Sequence, residues 1–227
     1  MGSIVEFPSN GSTAQGYFAP AEGGGPGIIV IQEWWGLVPH IKEVCDRFAA
    51  AGFSALAPDL YHGETTTEPD EAGKLMMALN IGQAVKDMAG AIAFLQADDQ
   101  ATSEKVGVIG FCMGGGLALV LAAERSDAIG ACAPFYGLIP WEGAQPDWND
   151  VKAPVRGHFA ELDGFFGPDQ ARGLEEALRN AGVDAQIEIH PGVDHAFFND
   201  HRPEVYNAEE SQKAWDATTE FFGSTLG

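Results

Sequence analysis

Lys105-Val106-Gly107-Val108-Ile109-Gly110-Phe111-Cys112-Met113-Gly114-Gly115-Gly116-Leu117 is the stretch on which the reading of this chain turns. Lys105 to Ile109 is a short, largely apolar run of strand character. Met113 to Ala123 continues with small and apolar residues suited to a buried helix. Between them, Gly110-Phe111-Cys112-Met113-Gly114 sets a cysteine at the centre of a G-x-nucleophile-x-G pattern. The two glycines let the chain turn sharply from strand to helix and keep side chains away from the central residue. Such a turn raises the thiol above the sheet, at the positive end of the helix. Most cysteines are small buried residues; the flanking glycines and the junction make Cys112 a nucleophile instead.

Outward from this turn, apolar runs alternate with helical periodicity. Gly23-Gly24-Gly25 reads as a turn leading into Gly27 to Gln32, a continuous apolar run of the kind a parallel strand covered on both faces requires. Ile41, Val44, Cys45 and Phe48 then share one helical face, Gly52 stops the helix, and Phe53 to Ala57 is the next strand. Pro58 to Gly63 forms a strand-end loop, a polar stretch follows and the chain resumes near Pro69. From Ile81, the residues Ala84, Val85, Met88, Ala91, Ile92 and Leu95 repeat at helical spacing. Beyond the nucleophile, strands are expected at Ile129 to Phe135, Val155 to Phe159 and Ala185 to His190. Helices are expected near Asp169 to Asn180 and Asn207 to Phe222, the last with Trp215, Thr218, Thr219 and Phe222 on one side. Tyr136 to Trp148 is a loop rich in tryptophan and proline. This alternation predicts an α/β chain with a doubly wound, mostly parallel sheet and helices on both faces.

Composition narrows the function. A chain of 227 residues with 45% hydrophobic content buries a full core, and one domain over 1–227 is the natural count. Its 33 acidic against 12 basic residues give a formal charge of -21, which argues against nucleic acid as a partner and disfavours anionic ligands at long range. No run is long and apolar enough for a membrane span, and the N-terminus does not read as a signal peptide, so a cytoplasmic location is expected. Cys45, Cys112 and Cys132 lie in apolar contexts with no disulfide framework. No P-loop, dinucleotide signature or metal-ligand spacing occurs, so neither cofactor nor metal is implied. Oligomeric state is left open between a monomer and a weak homodimer.

In such sheets reactive groups collect at the carboxyl ends of the strands. His195 closes a short loop after Ala185 to His190, where an imidazole is placed to take the thiol proton and return it to a leaving group. His190, inside the strand, reads as structural, and His62 and His201 read as surface loop residues. Asp163 ends a strand and lies between nucleophile and base in chain order, which makes it the candidate to fix the His195 tautomer. Glu161 is its runner-up, and Asp194 is too close in sequence to orient its own neighbour. The backbone N–H groups of Met113 and Trp34 are the expected oxyanion donors. Glu33, directly after a buried strand and beside the thiol, reads equally well as a solvated loop residue or as a partner of the site. Trp34, Trp35, Tyr61, Phe197 and Phe198 are candidate pocket aromatics.

Taken together, Gln32-Glu33-Trp34-Trp35-Gly36, Pro58-Asp59-Leu60-Tyr61, Gly110 to Gly115 and Asp194-His195-Ala196-Phe197 resemble the dienelactone hydrolase family, the carboxymethylenebutenolidases of the α/β-hydrolase superfamily, over nearly the whole chain. The resemblance implies a Cys112, His195 and Asp163 triad and a small-molecule ester or lactone substrate. It gives Glu33 the role of holding the resting thiol, places Tyr61 at the border of the site, and assigns Met113 and Trp34 to the oxyanion. Members that cleave dienelactone hold its carboxylate with two arginines. Here Lys74 is the only Lys or Arg between Gly63 and Gln83, and Asn199 stands at the second place, with Arg202 three residues further on. Without a bidentate clamp an anionic lactone loses its charge-assisted anchor. A neutral ester or thioester on the same triad is therefore the alternative substrate class. A non-catalytic protein, or a thiol-redox protein using Cys132, is the alternative outside hydrolysis.

Overall fold

The computed structural model describes residues 1–227, the side chain of Glu142 excepted. The chain runs β1 (Ser3–Ser9), β2 (Ser12–Ala19), β3 (Gly27–Ile31), α1 (Pro39–Ala50), β4 (Ser54–Pro58), α2 (Pro69–Ala78) and α3 (Ile81–Ala97). It continues with β5 (Val106–Phe111), α4 (Met113–Glu124), β6 (Ile129–Phe135), β7 (Val155–Ala160), α5 (Pro168–Asn180), β8 (Ala185–His190) and α6 (Ala208–Leu226). All eight strands join one sheet in the order β1-β2-β4-β3-β5-β6-β7-β8. From β4 to β8 neighbouring strands are parallel, and β1 and β2 add an antiparallel edge. This is the α/β-hydrolase arrangement.

The central strands explain their own sequences. Every residue of β3, β4 and β5 is buried, because helices cover both faces and leave no room for alternating polar residues. α1 and α6 lie over one face, where Ile41, Val44, Phe48, Ala214 and Phe222 meet Ile28, Val30, Ile109 and Phe111. α3, α4 and α5 cover the other, where Met88, Ile92, Leu117, Leu121 and Leu174 meet Ile29, Ile31 and Val108. α4 is buried from Met113 to Ala123, which accounts for a helix apolar on every side. Asn80 and Asn207 cap α3 and α6, each side chain accepting a first-turn backbone N–H at 3.0 Å. α6 reaches Leu226, beyond the expected end at Phe222. Among the described residues no helix is long and apolar enough to cross a membrane.

The N-terminal hairpin is absent from the sequence-based expectation. Its strands carry many polar residues because β1 forms the sheet edge and much of each strand faces solvent. Asn10 and Gly11 join them, both with positive φ, as a two-residue hairpin turn requires.

The connections position the site. β3 lies between β4 and β5, so the chain leaves β3 in one direction and later returns on its other side. Loops beyond the carboxyl ends of β3 and β5 therefore diverge around a crevice at this switch point. Register pairing of Ile31 with Gly110 brings the Gln32–Gly36 loop alongside Cys112.

Candidate active site

Cys112 occupies the turn between β5 and α4 with φ 54° and ψ -117°, a sparsely populated conformation costing on the order of 1–3 kcal/mol. Two contacts show why glycines flank it. A Cβ at Gly110 would meet the Gly114 carbonyl at 1.9 Å, and one at Gly114 would meet the Ile31 and Gln32 carbonyls at 2.5 Å. The turn after β5 is thereby pressed against its own helix and against the end of β3. The Cys112 N–H donates to the Phe135 carbonyl at 3.1 Å, which ties the turn to β6. Met113 opens α4, so its N–H belongs to the first turn that has no intrahelical acceptor.

His195 and Asp163 meet across the loops that follow β8 and β7. His195 Nδ1 lies 2.7 Å from Asp163 Oδ2, and the Phe165 and Phe166 N–H groups donate to Asp163 Oδ1 at 2.7 and 3.0 Å. Those bonds outweigh burial and hold the Asp163 carboxyl below its ordinary range. Leu162 N–H donates to the Val193 carbonyl at 2.9 Å, binding the two loops together. Cys112 lies close enough to His195 to raise its basicity, and with Nδ1 taken by Asp163 the nitrogen left free on the ring is Nε2. Burial alone would depress the imidazolium, but Asp163 and Cys112 push it up to about 10. Glu161 does not compete as the orienting acid; its carboxylate accepts the Gly192 N–H at 2.8 Å. Asp194 accepts the backbone N–H of His195 at 2.6 Å and does not reach the ring.

Glu33 is buried, and its carboxylate accepts from Asn199 Nδ2 at 2.8 Å. Burial pushes its carboxyl up to about 7, opposed by the charge of His195, the Asn199 amide and the Arg202 guanidinium. Asn199, set against the core at 3% exposure, spends its amide on Glu33 and accepts the His201 N–H at 3.0 Å. Arg202 is near enough to act on Glu33 and on Tyr136, while its Nε–H donates to Glu204 at 2.9 Å. Lys74 is remote from this exchange, paired with Glu71 on an exposed face of α2.

The aromatic candidates separate. Tyr61 is held by Asp59, which accepts the Tyr61 and Gly63 N–H groups at 3.1 and 2.7 Å, and its hydroxyl contacts the Met113 sulfur at 3.2 Å. It forms part of a cleft of about 350 Å³ with Leu60, Leu75, Leu79, Ala84 and Asp87. Trp34 and Trp35 are half-buried, with rings edge to face at 5.0 Å. Phe197 corrects the sequence-based expectation of a pocket residue. It has no exposed surface and packs between the rings of Tyr136 and His190, so it supports the site from behind. Phe198 is likewise fully buried, stacked on Phe111.

Sequence reasoning missed Tyr136. It has positive φ, lies 5.2 Å from the His195 ring, and its fully buried hydroxyl has no hydrogen-bond partner among the described residues. Burial raises its phenol, and the charges of Glu33 and Cys112 raise it further. Its position at the carboxyl end of β6 is the one signal that pointed to it. Cys132, in contrast, pairs with Val108 in the sheet register, four residues before Cys112. That offset is about 13 Å along a strand, far beyond the roughly 7 Å Cα separation a disulfide spans.

Fold and site together define an α/β-hydrolase with Cys112 at the turn between β5 and α4. The dienelactone hydrolase family profile matches residues 14–226, and the chain belongs to that family. It is 41% identical to "Protein usf" of Aquifex pyrophilus, with all of both chains covered. It is 36% identical, again over both full lengths, to an Aquifex aeolicus protein named provisionally as a carboxymethylenebutenolidase. A solved structure from Klebsiella pneumoniae, described provisionally as a dienelactone hydrolase, superposes with a TM-score of 0.87 at 27% identity and covers 98% of each chain. The protein is accordingly a hydrolase of carboxylic ester or lactone bonds.

Proposed function

We propose that this hydrolase cleaves uncharged lactones or enol esters through a thioester on Cys112. The observation that carries the reading is the His195 ring, set 2.7 Å from Asp163 through Nδ1 and close enough to Cys112 for that residue to raise its basicity. Cys112 gives its proton to His195 and its sulfur attacks the substrate carbonyl carbon. The N–H groups of Met113 and Trp34 stabilise the resulting oxyanion. When the C–O bond breaks, the leaving enolate or alkoxide takes the proton from His195. His195 then deprotonates water, which attacks the thioester, releases the acid and restores the thiol. Asp163 holds the imidazole in the required tautomer. Enol esters and lactones suit this nucleophile, because a good leaving group lets the weakly basic sulfur be the one retained.

An uncharged substrate is supported by what surrounds the thiol. Asn199 stands where one arginine would and is committed to Glu33, Lys74 is paired with Glu71, and Arg202 shares its charge with Glu204, so among the described residues this region presents no pair of arginines to clamp a carboxylate. The cleft beside Tyr61, walled by Leu60, Leu75 and Leu79, is the apolar surface assigned to the body of the substrate, because the Tyr61 hydroxyl joins it to Met113 next to Cys112. Glu33 acts on the resting site through Asn199 and through its charge. Altered alkylation kinetics of Cys112 in Glu33→Gln would support that role, and wild-type kinetics would remove it.

Purified protein mixed with an activated aryl ester and with an uncharged enol lactone, followed by product release and intact mass, tests the scheme. A burst and an acyl adduct, both lost in Cys112→Ala, are expected. Turnover equal in wild type and Cys112→Ala, with no adduct, would refute it.

A further inference from the structure

On the α6 face of the sheet, remote from Cys112 in sequence and facing a different opening, β7 and β8 bring together three metal-ligating side chains. Glu188 and His190 are two residues apart on β8 and so point to the same face, and the register pairs His158 of β7 with Glu188. His158 Nδ1 lies 3.0 Å from His190 Nε2 and 3.8 Å from Glu188 Oε2. Donor atoms around a tetrahedral zinc ion with bonds of about 2.0–2.1 Å are separated by about 3.3 Å, so these atoms already stand near that spacing.

The outward ring nitrogens strengthen the case. His190 Nδ1 lies 2.7 Å from Glu210 Oε2, and that carboxylate is itself anchored by Lys213 at 2.7 Å. His158 Nε2 lies 3.2 Å from Thr218 Oγ1. Each imidazole is thus oriented by an acceptor or hydroxyl behind it, the arrangement that aims metal-binding histidines. A surface cavity of about 450 Å³, lined by His158, Glu188, Asp184, Glu220 and Arg156 among others, reaches His158 and Glu188, with His190 buried next to His158. Arg156 is paired with Asp184, which leaves Glu188, Glu220 and the formal charge of -21 to favour cation entry.

We propose that His158, His190 and Glu188 form a binding site for a divalent transition-metal ion of the zinc type, with solvent from the cavity completing its coordination. Two imidazoles and one carboxylate suit zinc, and cobalt as its spectroscopic substitute, better than magnesium or calcium. Without metal, Glu210 accepts from His190 Nδ1–H, so His190 Nε2 accepts from His158 Nδ1–H and Thr218 donates to His158 Nε2. Metal binding moves that one proton within His158 from Nδ1 to Nε2, where Thr218 accepts it; both imidazoles remain neutral and no proton is lost. The ion joins edge strand β8 to β7, and through Glu210 and Thr218 to α6.

The test uses full-length Cys112→Ala protein, which removes the competing thiol, freed of metal with a chelator and titrated calorimetrically with Zn²⁺ and by visible absorption with Co²⁺. One equivalent is expected to bind, with tetrahedral-type Co²⁺ bands and a raised Tm. Glu188→Ala, on the exposed sheet edge and so suited to fold normally, should weaken binding on the order of 10–100-fold or more, as should Glu210→Gln. His201→Ala should bind as the parent does, since it alters only the separate His40, Asp200 and His201 cluster. Absence of binding, full affinity in folded Glu188→Ala, or loss of binding in His201→Ala would each overturn the proposal.

Discussion

His195 and His190 carry the same local pair, an imidazole Nδ1 set 2.7 Å from a carboxylate oxygen, yet they stand in different chemical settings. His195 lies in a loop beside a residue with positive φ, Ala196, stays partly exposed, and is close enough to Cys112 to be influenced by it. His190 ends a strand with no exposed surface, and its second nitrogen faces another imidazole. Phe197 packs against His190 at 4.8 Å and against Tyr136 at 5.6 Å, and so stands between the two settings. A carboxylate-backed histidine is therefore no signature of catalysis by itself. What the free nitrogen meets, and whether a substrate can reach it, assigns the role.

The sharpest way to break this comparison is to remove each carboxylate in turn. Asp163→Asn should lower kcat by about 10³–10⁴, because an amide no longer fixes the productive tautomer. Glu210→Gln should leave kcat within about twofold while destabilising the fold by about 1–3 kcal/mol through a weakened buried hydrogen bond. Steady-state kinetics and denaturant unfolding on both variants read the two effects separately. A thousandfold loss of kcat in a folded Glu210→Gln would erase the distinction.

A second contrast lies between Asp163, held below its ordinary range, and Glu33, pushed up to about 7. Asp163 receives three hydrogen bonds, whereas Glu33 receives one from Asn199 in a buried site. Below about pH 4.5 Glu33 is protonated in both folded and unfolded chains and carries no penalty. Between 4.5 and about 7 the folded protein keeps a proton that the unfolded chain loses, so stability falls as pH rises. Above 7 the penalty is complete, at about 3 kcal/mol. Glu33→Gln is therefore expected to be more stable than wild type at pH 8 and to lose most of that advantage at pH 4.5. Urea unfolding at the two pH values measures it, and an equal difference at both would show that the Glu33 charge is not the cause.

These contrasts mark how far the sequence could be read. Cys112 was legible because the strand, the turn and the helix are contiguous, and Asp163 and His195 because each follows a strand end in a fixed chain order. The pairing of Glu33 with Asn199 joins residues 166 positions apart and depends on how two loops close over the crevice. His158, Glu188 and His190 become neighbours only through the β7–β8 register, so linear spacing gives no metal-ligand pattern. The N-terminal strands are hard to read because solvent-facing edge strands lack apolar runs, although Asn10-Gly11 is a strong hairpin signal. Phe197 reads as a pocket residue because an aromatic residue just after His195 has the same sequence appearance whether it faces substrate or, as here, the core.

The smallest expected effect concerns Arg202, whose guanidinium is close enough to influence Glu33 and Tyr136. Its Nε–H is engaged by Glu204, and the side chain is about one-third exposed at 35%, so its pull on a bound anion is screened by solvent and shared with a carboxylate. Arg202→Gln should raise KM for an anionic lactone by no more than about fivefold, equivalent to about 1 kcal/mol, and should leave kcat/KM for an uncharged lactone unchanged. The ratio between the two substrates, measured at low and high salt, separates a screened charge from a direct contact. A screened charge gives a small preference that vanishes with salt. A hundredfold loss confined to the anionic lactone, persisting at high salt, would mean that Arg202 leaves Glu204 to grip substrate, and the preference for uncharged substrates would fall with it.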